Sequence, residues 1–266
     1  MPAVSLRALS PRARILAICT ALVVVLLAVA ALAPLPFTVA QPGTTVNVLG
    51  ADGGKQVITI SGSDTRKTKG QLRMTTIAAT GPDATVRLGD VLSGWFRTDR
   101  AVLPREAVYV GDTTEEIQQH NADEMRKSQN TATSAALGYL HKSPGDVKVK
   151  LRLADVGGPS AGLLFSLGIV NKLDGDGRGG DLTGGRTIAG TGTIDARGEV
   201  GAVGGVPLKT QAAKRDGATV FLVPKAECKD AEAEQPKGLR LIPVTTLDGA
   251  VKALNNLQSG GAVPHC

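Results

Sequence analysis

An α+β domain behind one membrane-length apolar helix is the fold class this sequence predicts. Three observations predict it. Residues Ile15 to Ala33 form 19 consecutive residues without a charge. Beyond them, period-two apolar segments and helical patterns mix without the strict alternation of a parallel α/β fold. Near the middle, the alternating segment Val147 to Leu153 runs into a Gly/Pro turn and then a largely apolar stretch, Leu163 to Val170, which reads as strand, turn and helix.

The charge-free run is longer than the roughly 7–15 residues of a signal-peptide core and suits a transmembrane anchor. Arg7, Arg12 and Arg14 precede it. By the positive-inside rule residues 1–14 stay in the cytoplasm, residues 15–33 cross the cell membrane once, and the rest is extracytoplasmic. Cleavage after Thr38-Val39-Ala40 is the competing reading. Prolines at 34 and 36 disfavour a site near Ala33, so the expectation is an uncleaved anchor.

The remaining elements follow in order. Pro34 to Gly43 reads as a Pro-rich connector. Val46 to Val48, Val57 to Ile60 and Leu72 to Ala78 read as strands. Leu88 to Phe96 has helical spacing and carries the single tryptophan, Trp95, expected to be packed. Thr113 opens a polar helix reaching Leu140, with apolar positions at Ile117, Met125, Ala132, Ala136 and Leu137. These elements make residues 34–145 a mixed α/β extension packing on the following domain.

A helix is expected from Ala161 to Leu173. Asp174 to Gly185 is a Gly/Asp-rich surface loop; Gly185 stands where a calcium-binding EF-hand needs its bidentate glutamate. Thr187 to Ile194 and Glu199 to Val203 flank a hairpin turn at Asp195 to Gly198. Leu208 to Arg215 is a helix with Pro207 in its first turn, ended by Gly217. Strands at Ala218–Val223 and Leu239–Ile242, a helix at Leu247–Leu257 and a tail (residues 258–266) complete the chain.

Composition excludes some functions. Aromatic residues are only 3% of the chain, too few for base-stacking surfaces. The net charge of +6 owes three charges to the N-terminal arginines, leaving +3, so no nucleic-acid partner is expected. Cys19 lies inside the apolar run. Cys228 and Cys266 fall in the presumed external part, where two cysteines point to one disulfide; two free thiols are the alternative.

Ser160 sits where a strand turns into a helix, behind Gly157, Gly158 and Pro159. An N-cap is the ordinary role for such a serine. A nucleophile is the sharper one, since backbone N–H groups at a helix start can face an oxyanion. A nucleophilic serine needs a base. His120, His141 and His265 stand in polar or terminal contexts, which supports neither a Ser-His-Asp triad nor a zinc site. Lys209 lies on an otherwise apolar helix start, among Val206, Leu208, Ala212 and Ala213. Burial there would lower its proton affinity and let a neutral amine take the serine proton.

Asp155-Val156-Gly157-Gly158-Pro159-Ser160-Ala161-Gly162 resembles the serine motif of the Lon-type serine–lysine peptidases (the S16 family). Thr191-Gly192-Thr193-Ile194, Arg197-Gly198-Glu199-Val200 and Gly204-Gly205-Val206-Pro207-Leu208-Lys209 resemble the family's second block. The likeness covers about residues 146–257 and implies the Lon proteolytic fold, of the ribosomal protein S5 domain 2-like kind. It implies Ser160 as nucleophile, Lys209 as general base, and Thr191 holding the lysine amine, with Gly158 and Pro159 supporting the turn. It also implies protein or peptide substrates, no cofactor, and an open question of homo-oligomerisation, since the family often forms rings.

The anchor and the segment Arg100 to Val108 resemble the membrane-anchored YlbL-like branch. The PDZ module usual in that branch has no room between Leu140 and Val147. Gly157 departs from the aspartate of ATP-dependent relatives. No P-loop is present: Gly54-Lys55 is followed by Gln56, and Leu49 occupies the first glycine position. The expected activity is thus an ATP-independent serine endopeptidase; a non-catalytic, membrane-anchored binding protein on the same fold is the alternative.

Overall fold

The structure, a computed structural model, describes residues 10–153 and 158–266. Arg7, Asp155, Val156 and Gly157, singled out above, lie outside the described residues.

Helix α1 (Pro11–Leu32) is followed by strands β1 (Phe37–Asn47), β2 (Ala51–Asp52), β3 (Lys55–Gln56), β4 (Ile58–Ser61) and β5 (Gln71–Ala79). Next come α2 (Leu88–Trp95), β6 (Ala101–Pro104), α3 (Arg105–Val108), α4 (Thr114–Tyr139) and β7 (Lys148–Leu151). A 3-10 turn, Pro159–Ala161, leads into α5 (Gly162–Leu173). Then follow β8 (Thr187–Gly190), β9 (Thr193–Ile194), β10 (Val200–Gly201), α6 (Val206–Arg215), β11 (Val220–Pro224), α7 (Cys228–Ala233), β12 (Arg240–Val244) and α8 (Leu247–Ser259).

Six strands form the main sheet in the order β12-β11-β8-β5-β1-β6. The first four run parallel to one another, β1 runs antiparallel to β5, and β6 pairs antiparallel with β1 and so returns to the direction of the first four. The N-terminal region therefore supplies three strands to the sheet that β8, β11 and β12 complete. Its attachment is backbone hydrogen bonding as well as side-chain packing. Strand β7 pairs with β4 outside this sheet, Ile58 opposite Leu151.

Helix α5 is the core element. Every residue from Gly162 to Asn171 is buried, which fits its near-continuous apolar sequence. It packs against α4, α8 and β5. The polar residues within it are satisfied. Ser166 Oγ lies 3.1 Å from Ala132 O and 3.0 Å from Gly162 O, and Asn171 Oδ1 accepts from Leu182 N–H at 2.7 Å. Gly168 lets β4 come close: a Cβ there would stand 2.5 Å from Ile58 Cδ1 and 3.0 Å from Val48 Cγ2. Gly168→Val is expected to destabilise the fold by about 1–3 kcal/mol through overpacking, read as a lower denaturant midpoint at unchanged slope.

Helix α4 starts as its sequence dictates. Thr113 Oγ1 accepts from Glu116 N–H at 3.2 Å, and Glu116 Oε2 accepts from Thr113 N–H at 3.3 Å, a reciprocal cap. Ile117, Met125, Ala132, Ala136 and Leu137 are all buried, as their spacing predicts, and the Ser/Asn/Thr-rich interior stays helical because α5 covers it. Cys228 and Cys266 are joined, with Cα atoms 5.3 Å apart, and Cys19 is a free, exposed cysteine on α1.

Four expectations change. The connector Pro34–Gly43 is mostly strand: β1 starts at Phe37, and its register shifts between Pro42 and Thr45, where proline and Gly43 are tolerated at a bulge. Trp95 is 71% exposed, not packed, because α2 turns Val91 and Gly94 inward instead. The hairpin at Asp195–Gly198 is short: Thr193–Ile194 pairs with Val200–Gly201, while Thr187–Gly190 joins the main sheet between β5 and β11. The helix after Gly205 starts at Val206, two residues earlier than Leu208.

Candidate active site

Ser160 lies in the 3-10 turn that feeds α5 and is not an N-cap. Gly158, just before the turn, has φ +93°, a left-handed value that a side chain would strain, and the space beside it is open. The turn is fastened from two directions. Ser128 Oγ, buried on α4, donates to Pro159 O at 3.1 Å. Ser160 O accepts from Gly192 N–H at 3.0 Å and lies 3.4 Å from Thr191 Oγ1. Leu163 N–H donates to Gly192 O at 3.1 Å, so the serine turn and the segment after β8 hold each other through reciprocal backbone bonds.

Lys209 sits in the first turns of α6 and is only 4% exposed. Gly205 caps this helix at φ +70°, with Ile77 of β5 so near that a Cβ would stand 2.8 Å from its Cγ2. The Lys209 ammonium donates to Thr191 Oγ1 at 3.2 Å. Thr191 is fully buried, and its donor count works: one hydroxyl proton is free for the Ser160 carbonyl while the oxygen accepts from lysine. Thr191 thus links Lys209 to the serine turn. Among the described residues no hydrogen bond joins Ser160 Oγ to Lys209 Nζ.

Burial pushes Lys209 down from the ordinary lysine range to about 8, and Glu227 works against the shift. Glu227 was not singled out from the sequence. Its Oε1 accepts from Val203 N–H at 3.1 Å, and its Oε2 is buried without a hydrogen-bond partner among the described residues. Burial raises its carboxyl, the Val203 bond and the Lys209 charge lower it, and Asp230 raises it again. A glutamate directly before a cysteine in a short charged segment carries no local signal of this position.

Ser160 and Lys209 line one cavity of about 730 Å³. Gly158 and Pro159 form part of its wall, as do Thr76 and Ile77 of β5. His120, exposed on α4, also lines it. Strand β8 pairs with β5 only over Gln71–Met74, so residues Thr75 to Ala79 extend past it, and Thr76, Ile77 and Ala79 reach the cavity wall. Chemically, this is a hydroxyl, a buried amine of lowered proton affinity, and a stretch of strand not covered by β8, all on one cleft. Among the described residues no group of three or more His, Cys, Asp or Glu side chains is placed to hold a metal.

A mixed sheet packed on a buried central helix, with a serine turn locked to a lysine-bearing helix, defines the class of domain. The chain belongs to the Lon protease (S16) C-terminal proteolytic domain family, whose model matches residues 112–256. The match begins just ahead of α4 and so takes in the helix that carries Ser128 and His120. Lon protease of Azospirillum brasilense is 35% identical over 147 residues, 54% of this chain and 17% of that protein. Lon protease of Chloroflexus aggregans is 35% identical over 98 residues, 35% of this chain and 11% of its own. Archaeal Lon protease of Methanocaldococcus jannaschii is 39% identical over 71 residues, 27% of this chain and 11% of its own. The likeness therefore spans a small part of each relative's length.

Proposed function

We propose that the chain is an ATP-independent serine endopeptidase in which Ser160 is the nucleophile and Lys209 the general base. One observation carries the reading: Lys209 is buried, held at a proton affinity near neutrality, and tied through Thr191 to the turn that presents Ser160 on the same cleft. Neutral Lys209 takes the Ser160 hydroxyl proton as Oγ attacks the substrate carbonyl. The protonated amine then gives that proton to the leaving nitrogen, which leaves an acyl-serine. Water, deprotonated by the same amine, hydrolyses the ester and releases the acid. The amides of Gly162 and Leu163 are engaged with Pro159 O and Gly192 O, so the oxyanion falls to amides earlier in the turn.

Protein or peptide substrates bind extended, adding a strand to the part of β5 that β8 leaves uncovered, beside Thr76 and Ile77. The amine needs no nucleotide, and the sequence carries no P-loop. Helix α1 is long and apolar enough to cross a membrane, and Arg12 and Arg14 lie at its start. We read it as a single-pass anchor of the YlbL-like branch that leaves the cleft extracytoplasmic, where the Cys228–Cys266 disulfide is stable.

Labelling with a fluorophosphonate tests the reading. Mass mapping is expected to place the adduct on Ser160, with labelling that increases between pH 7 and pH 9 as Lys209 loses its proton. An unlabelled Ser160 across that range, in a chain that also cleaves no unfolded protein, would instead identify a non-catalytic binding module.

A further inference from the structure

Helix α2 is built inside out. Its inward face is small: Val91 is buried, and Gly94 approaches β6 so closely that a Cβ would stand 2.5 Å from Val102 Cγ2. Its outward face carries the large apolar side chains at helical spacing. Leu88 is 37% exposed, Leu92 42%, Trp95 71%, and Phe96 at the helix end 87%. Among the described residues, the other large apolar side chains exposed to this degree are those of α1, along with Val110. A water-facing cluster of two leucines, a tryptophan and a phenylalanine calls for a cover.

The chain path says what covers it. At 1.5 Å per residue the 22 residues of α1 span about 33 Å, a match to the roughly 30 Å apolar layer of a bilayer. Only Ala33 and Pro34 separate Leu32 from Leu35, whose N–H donates to Val86 O at 2.9 Å. Val86 stands two residues ahead of α2, and α2 contacts α1. At most about 11 Å of extended chain thus lies between the end of the apolar helix and the Leu35–Val86 bridge, and two residues lead from Val86 to the start of α2. A short helix with an apolar outer face and a tryptophan, held at the end of a membrane-length helix, has the placement and composition of an interfacial segment.

We propose that the outer face of α2, namely Leu88, Leu92, Trp95 and Phe96, inserts into the interfacial layer of a phospholipid bilayer on the cytoplasm-distal side. This rests on the reading of α1 as a membrane anchor. It gives the domain a second point of contact with the membrane, so that the proteolytic cleft is held at a fixed orientation to the surface instead of swinging on Ala33 and Pro34.

Trp95 is the sole tryptophan, so the intact chain reports on itself. The full chain is reconstituted into phosphatidylcholine vesicles, with and without lipids brominated high or deep on the acyl chains. Alkaline carbonate extraction of the same vesicles checks the anchor separately. The expected result is carbonate-resistant protein whose emission is blue-shifted and is quenched more by the shallow bromines than by the deep ones. Carbonate-resistant protein with water-like, unquenched emission overturns the inference and leaves the anchor standing. Blue-shifted emission that bromines do not quench also overturns it, and points to a second copy or another protein as the cover. Release by carbonate overturns the anchor and this inference together. Leu92→Asn with Phe96→Asn, both at exposed positions, is expected to return Trp95 to water-like emission while the chain stays carbonate-resistant; quenching that persists unchanged in that variant counts against insertion of this face.

Discussion

Ser160→Ala is expected to lower peptide-bond cleavage by about 10⁴-fold or more while leaving the fold as stable as before. The two halves of this expectation have separate causes. The hydroxyl is the atom that would bond to the substrate carbonyl, and alanine has nothing to replace it. The stability half follows from how the turn is held. Ser160 contributes to its surroundings through its carbonyl, which accepts from Gly192 N–H, while Ser128 fixes the neighbouring Pro159 carbonyl. Alanine keeps all of that backbone. Cleavage of an unfolded protein and the denaturant midpoint should therefore part company in this variant. Retained proteolysis would move the nucleophile elsewhere, whereas a fallen midpoint would show that the hydroxyl has structural partners.

The core and the burial of the candidate site's lysine helix were legible in the sequence for a physical reason. Helix α5 is buried all round, so its apolar run needed no tertiary knowledge to recognise, and the strands of the main sheet carry runs of apolar residues between turn signals. Lys209 could be suspected of burial because its helix neighbours Val206, Leu208 and Ala212 are apolar, and each of them is buried. What stayed hidden depends on which elements meet. Nothing local in β1 or β5 says that they continue the sheet of β8 and β11, since that pairing joins residues more than a hundred positions apart. Trp95 was misjudged because helical spacing shows which residues share a face but not whether that face meets protein or solvent. Ser128 and Glu227 were missed because each acts across a gap in sequence, on Pro159 and toward Lys209, from segments whose composition looks like ordinary surface.

The pH dependence of cleavage follows from Lys209, and its direction can be fixed. A general base acts in its neutral form. With a proton affinity near 8, about a tenth of the lysine is neutral at pH 7. The rate constant kcat/KM should then rise with pH through about 8 and level off above it. Lys209→Met should abolish the rise along with about 10³-fold or more of the activity, and Lys209→Arg should not restore it, because a guanidinium stays protonated. Glu227→Gln separates charge from geometry. The carboxylate raises the proton affinity of Lys209, so its removal lets burial act unopposed and moves the rise to lower pH. Glutamine keeps an oxygen for Val203 N–H, so the loop ahead of α6 keeps its anchor. Activity at pH 7 should go up relative to the unsubstituted chain, and the plateau above pH 9 should change little. If the rise stays where it was, Glu227 does not reach the amine. If it moves upward, the lysine is not the group that titrates. A rise at lower pH with an unchanged plateau would identify Lys209 as the base and the charge of Glu227 as what sets its working range.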